Sequence, residues 1–171
     1  MFALTAGVLL LLSACETKIG METSSNYTES EQKNLDAFNT VNKAFDTGET
    51  GSLDSVVADD FLDHTDRGDI KSLDSMKAMV TMMHNTMKDM KQEVIHSTAD
   101  GDYVYGWMRY TGTTDGSMGM PAGPYDMQAI ELVKFNSDNK ATEHWSFMEM
   151  QDVMGMMGGG APPAMKDSTM K

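Results

Sequence analysis

The sequence predicts an α+β fold in which N-terminal helices pack on one face of a curved antiparallel sheet. Three observations carry this reading. Apolar residues recur at helical spacing through the first part of the chain, the apolar period changes to two after Asp89, and turn signals separate the alternating stretches. No internal repeat is visible.

Each element has a local cause. Thr28-Glu29-Ser30-Glu31 has capping-box spacing, and Leu35, Phe38, Val41 and Phe45 then follow on one helical face until Gly48. Ser52 is placed to cap a short second helix through Leu53, Val56 and Val57. Ser72 is placed to cap a third, with Leu73, Met76, Val80, Met83 and Met87 in one stripe. Residues 91–99 read as a strand, Asp100-Gly101 as a hairpin turn, and 103–113 as a second strand. A Gly- and Pro-rich loop leads to a third strand at Met127–Phe135, and Ser137-Asp138-Asn139 turns into a fourth at Ala141–Met150.

The ends of the chain carry different information. Residues 1–14 read as a lipoprotein signal peptide, with a short apolar run from Val8 to Leu12, although Met1 to Gly7 lacks the usual basic residue. Leu12-Ser13-Ala14-Cys15 has the order of a lipobox: an aliphatic residue, two small residues, then the thiol that takes the diacylglycerol. Cys15 is the only cysteine in the chain. Residues 15–28 are expected to be a flexible tether, 29–157 the folded domain, and 158–171 a disordered Gly/Pro/Met tail. The implied location is the bacterial cell envelope. Glu16 after the cysteine, in place of aspartate, points to the outer membrane.

Composition removes several functions. A net charge of −13 argues against a nucleic-acid partner and against electrostatic docking on anionic lipid. One cysteine excludes an intramolecular disulfide and a cysteine-rich metal site. There is no His-Glu-x-x-His and no calcium-loop spacing, so no metal or other cofactor is expected. The 19 methionines include repeated Met-x-Met spacings at Met118/Met120, Met148/Met150 and Met154/Met156, with Met165 and Met170 in the tail. Soft thioethers suit Cu(I), while methionine also fills irregular cores.

Several segments, in order, resemble the SnoaL-like polyketide cyclase family of the nuclear-transport-factor-2-like superfamily. They are Asp59-Asp60-Phe61-Leu62-Asp63-His64, Met87-Lys88-Asp89, Asp100-Gly101-Asp102, Thr111-Gly112-Thr113, and Glu143-His144-Trp145 followed by Glu149. The resemblance implies a cone-shaped barrel whose helices and curved sheet enclose a pocket, with an acidic residue near the end of the last strand as acid/base. Glu149 falls at that position, and His64 matches a histidine that follows the first helical pair. The chain departs from the family at Gly112-Thr113-Thr114, where the third residue is commonly histidine, and at Trp107, where arginine is common.

Strand alternation puts Glu143, Trp145, Phe147 and Glu149 on one face of the last strand, and His144, Ser146 and Met148 on the other. With Glu149 taken as pocket-facing, Trp145 and Phe147 would desolvate its carboxyl group. Phe61, Trp107, Trp145 and Phe147 would then form an aryl pocket, and His144 would be structural. His84 lies off the apolar stripe of the third helix and reads as exposed, and His96 lies in a strand flanked by polar residues. Three functions remain open. The first is a lipid-anchored module binding a small apolar or aromatic molecule. The second is a cyclase-, isomerase- or hydrolase-type enzyme with Glu149 and His64 as acid/base pair. The third is a Cu(I)-binding envelope protein. A homodimer through the sheet face is compatible with each.

Overall fold

The computed structural model describes residues 27–65, 68–117 and 120–156. Its elements are α1 (Glu29–Thr47), α2 (Leu53–Val56), β1 (Val57–His64), β2 (Ile70–Lys71), α3 (Leu73–Thr86), β3 (Met87–Asp100), β4 (Tyr103–Thr114), β5 (Gly123–Phe135), β6 (Ala141–Met148) and α4 (Met150–Met156). The strands form one sheet in the order β2-β1-β6-β5-β4-β3. All pairs are antiparallel except β1 with β6.

The long helices begin and end where their caps direct. The Thr28 side chain accepts from the Glu31 amide, the Glu31 carboxylate accepts from the Thr28 amide, and Gly48 closes α1 with φ 74°. The other carboxylate oxygen of Glu31 accepts from the Gly101 amide at 3.0 Å. Buried Asn34 bonds the Gly101 carbonyl and accepts from Asn139 Nδ2 at 2.8 Å. The first turns of α1 are thereby pinned to both hairpins, which fixes how the helix lies across the sheet.

Gly106 sets how closely it lies. A Cβ on Gly106 would stand 2.4 Å from Cζ of Phe38, so only glycine lets α1 settle on β4. The core closes around Leu35, Phe38, Leu53, Val57, Val80, Val104, Met108 and Phe135. Register shifts in β3, between Lys88 and Lys91 and between Val94 and His96, interrupt its ladder with β4. Such bulges bend the bulged strand.

Several boundaries differ from expectation, and β5 starts at Gly123, four residues before the expected Met127. Val57 starts β1 rather than ending α2, and residues 57–64 form a strand that the sequence pattern did not indicate. Met87 belongs to β3, which starts four residues earlier than predicted, and β6 ends at Met148. Residues 1–26, with the lipobox and Cys15, and 157–171, with the tail methionines, lie outside the described residues, as does Met118.

Candidate active site

Helices α1 and α3 and the concave face of the sheet enclose a cavity of about 230 Å³. Its buried floor is Phe38, Phe61, Val133, Phe135 and Ala141, while Met76, Met79 and Met83 of α3 face it beside Met127 and Met148 of the strands. Exposed Ser146 and Met148 mark its open side.

The polar groups of this wall form one assembly. The parallel pairing of β1 with β6 sets Asp63 beside His144, and His144 Nδ1 lies 2.7 Å from Asp63 Oδ1. On the other side His144 Nε2 lies 2.6 Å from Glu131 Oε2. Glu131 sits opposite Ser146 in the β5–β6 ladder, and its Oε1 accepts from Ser146 Oγ at 2.9 Å and from Tyr110 Oη at 2.6 Å. Three of the four carboxylate oxygens are therefore engaged. Among the described residues, no hydrogen bond is made to Asp63 Oδ2.

The electrostatics follow from burial and charge. The side chains of Asp63 and Glu131 are 8% and 7% exposed, and His144 is 25% exposed towards the cavity. Burial alone would lower the His144 pKa, but the hydrogen bonds and charges of the two carboxylates prevail and raise it to about 9. At neutral pH the ring is an imidazolium donating to both sides. Burial, followed by the Glu131 charge, pushes the Tyr110 hydroxyl well above its usual range, so it remains a donor.

The sequence-derived site residues divide between two faces of the sheet. Phe61 lines the cavity. Trp107 and Phe147 lie on the opposite, convex face, 46% and 56% exposed, in register with exposed Ile130 between them. The Trp107 indole donates to Gln128 Oε1 at 2.7 Å. Trp145 shares that face and stacks on His64, with ring centroids 4.7 Å apart and planes at 15°. An aryl pocket built from all four residues is therefore corrected: alternation sends three of them outwards.

The Glu149–His64 pair is corrected in the same way. His64 lies 3.2 Å from Glu143 and 3.4 Å from Asp69, away from the cavity, and Lys134 bonds the other oxygen of Glu143. Lys134 first, and His64 after it, hold the Glu143 carboxyl below its usual range. Glu149 follows the last residue of β6, and its carbonyl accepts from the Asp152 and Val153 amides at the start of α4. Its side chain borders a shallow surface depression with Arg109, Asp126, Gln128 and Asp152. His144, expected to be structural, instead occupies the cavity wall. The expected alternation along β6 holds, and the cavity lies on the face of His144, Ser146 and Met148 rather than on that of Trp145 and Phe147.

A tryptophan in place of arginine at 107 thus removes no charge from the cavity, and Thr114 is buried at the end of β4. Sequence reasoning missed Asp63 and Glu131 as site residues. The available signal was Glu131 between Ala129 and Val133 on one face of β5, a charged residue in an apolar row.

The comparisons with known proteins agree with this architecture. No curated protein sequence matches the chain. The structure of TsrD from Streptomyces laurentii superposes with a TM-score of 0.65 at 17% identity, covering 74% of this chain and 96% of TsrD. A Jannaschia sp. CCS1 protein described as a SnoaL-like polyketide cyclase gives 0.66 at 18% identity, covering 80% and 98% of the two chains. An LEH-like epoxide hydrolase from M. tuberculosis gives 0.60 at 11% identity, with coverages of 75% and 92%. At these identities the likeness shows the fold. Residues 35–157 match the family description SnoaL-like polyketide cyclase, and the chain belongs to that family.

Proposed function

We propose that the domain is an acid–base enzyme acting on a small, uncharged and largely apolar molecule, carried on a lipid anchor at Cys15 at the bacterial cell envelope. The observation that carries the catalytic part is His144 held between Asp63 and Glu131 on the wall of an apolar cavity. Burying three ionisable groups is costly, and a cavity that only binds apolar molecules would be cheaper with apolar walls. The assembly carries one net negative charge, which disfavours anionic ligands.

Asp63 Oδ2 is the oxygen of the assembly left to meet a ligand, so Asp63 is the proton acceptor in this reading. His144 balances its charge and can relay a proton, and Glu131 holds the imidazolium while Tyr110 and Ser146 hold Glu131. The volume, about half as large again as the ~150 Å³ apolar cavity known to take benzene, suits a substituted ring or a small fused bicycle rather than a larger polycycle. Family membership supports cyclase-, isomerase- or hydrolase-type chemistry.

The test is solvent exchange at the carbon next to a carbonyl. Acetophenone, 1-indanone and 2-tetralone are followed by proton NMR in deuterium oxide with the wild type, Asp63→Asn and Glu149→Gln. The wild type should accelerate exchange, Asp63→Asn should lose about 10²–10⁴-fold, and Glu149→Gln should retain the rate. Equal rates for Asp63→Asn and wild type would refute the assignment. Binding of these ketones without accelerated exchange would favour the second reading, a binding module, which the apolar wall of the cavity supports.

A further inference from the structure

Among the described residues, one buried side-chain polar atom has no hydrogen-bond partner, and it is Nδ2 of Asn42. Asn42 stands on α1 beside Phe38, Val41 and Phe45 and lines the cavity with them. A buried donor left unpaired is costly and uncommon, and it calls for an explanation such as a missing ligand. The donors around His144 are all engaged with Asp63 Oδ1 and Glu131, and what that assembly leaves open is an acceptor, Asp63 Oδ2. Among the described residues, Asn42 Nδ2 is thus the buried side-chain donor with a hydrogen bond left to give.

We propose that Asn42 is the anchor for a ligand oxygen, and that the ligand is a neutral carbonyl compound with one ring or of similar bulk. The amide N–H donates to the carbonyl oxygen, while the carbon framework fills the floor at Phe61 and Phe135. Met79 and Met83 supply a polarizable wall suited to a flat unsaturated face. A hydrocarbon would leave Nδ2 unpaired, and a carboxylate would meet the net negative charge of the Asp63–His144–Glu131 assembly. The site therefore selects for an uncharged acceptor. The chemical consequence rests on the acid–base reading above: with the oxygen held by Asn42 and a proton removed at the neighbouring carbon by Asp63, the N–H faces the charge that develops on oxygen.

Binding and turnover test the two readings separately. Affinities of 1-indanone and its hydrocarbon counterpart indane are measured by calorimetry for the wild type, Asn42→Leu and Asn42→Asp. The wild type should prefer the ketone, and Asn42→Leu, close to isosteric, should lose about 3- to 10-fold of ketone affinity with indane affinity unchanged or improved. Asn42→Asp should weaken the ketone further at a pH high enough to ionise the new carboxyl group, because a carboxylate has no proton to donate. Thermal unfolding supplies the check on folding: without ligand, Asn42→Leu should unfold at the same or a higher temperature, since an unpaired donor has been removed. An unchanged ketone-to-hydrocarbon ratio in Asn42→Leu, or no ketone preference in the wild type, would overturn the proposal. Loss of exchange in Asp63→Asn with ketone preference intact supports both readings. Ketone preference that depends on Asn42, without any accelerated exchange, keeps the anchor and removes the enzyme.

Discussion

Raising the pH should release the imidazolium of His144 and take with it a measurable share of the folding stability. Its pKa is 6.5 as a reference and about 9 between Asp63 and Glu131. Each pKa unit is worth about 1.36 kcal/mol, so the protonated ring favours the folded state by about 3 kcal/mol. Because the folded pKa is the higher one, this stabilisation is complete below pH 6.5. It declines as pH rises towards 9 and is gone above it. A domain of this size is stable by about 5–15 kcal/mol, so the decline is a substantial part of the whole. Urea unfolding at intervals from pH 6 to 10, for wild type and His144→Gln, isolates the residue: the difference between the two should shrink by about 3 kcal/mol across that window. The imidazole NMR signals of His144 should titrate near 9, and Asp63→Asn or Glu131→Gln should each bring the midpoint down. A midpoint at or below 6.5, or a stability difference independent of pH, would refute the argument that the carboxylates outweigh burial.

Two further outcomes follow from other parts of the molecule. Gly106→Ala should destabilise the domain by about 1–3 kcal/mol in urea unfolding, because its methyl group would stand 2.4 Å from Phe38 Cζ, and Phe38→Leu in the same chain should recover part of that loss. Cys15→Ser should move the protein from the membrane fraction to the soluble fraction with its unfolding transition unchanged, and continued membrane association with the original N-terminal processing would contradict the anchor.

The helices were legible because their signals are local. Thr28, Glu31 and Gly48 specify the ends of α1 through bonds within a few residues, and the stripe of α3 lies within four turns. Strand β1 was not legible because its pattern is not a simple alternation: Asp59 and Asp60 are exposed side by side, with buried Ala58 before them and buried Phe61 after. Its pairing partner β6 lies some eighty residues downstream, joined in a parallel ladder with a register shift between Val57 and Leu62. No turn signal announces such a pair, whereas a hairpin carries its register in its own loop.

The same limitation explains the site. Alternation says which residues share a face, but the identity of the inner face is a tertiary property. On β4 the two faces offer Tyr105 and Trp107 against Val104 and Met108, and on β5 they offer Ile130 and Leu132 against Ala129 and Val133. Hydrophobicity alone favours the aromatic face, and the structure buries the other. The deciding residues are small: Gly106 marks the face where Phe38 of α1 approaches, and every residue two or four positions from it on β4 must point the same way. Carried through the register, Gly106 pairs with Glu131 and Glu131 with Ser146, so the inner face holds Glu131, Ser146 and, two residues before it, His144. A glycine read as a point of close approach would thus have led from α1 across two ladders to the histidine and one of its carboxylates. Asp63 still required the parallel strand. The exposed row of Trp107, Ile130 and Phe147 is then the outer surface of the sheet, and the cavity belongs to the less hydrophobic side of the last strand.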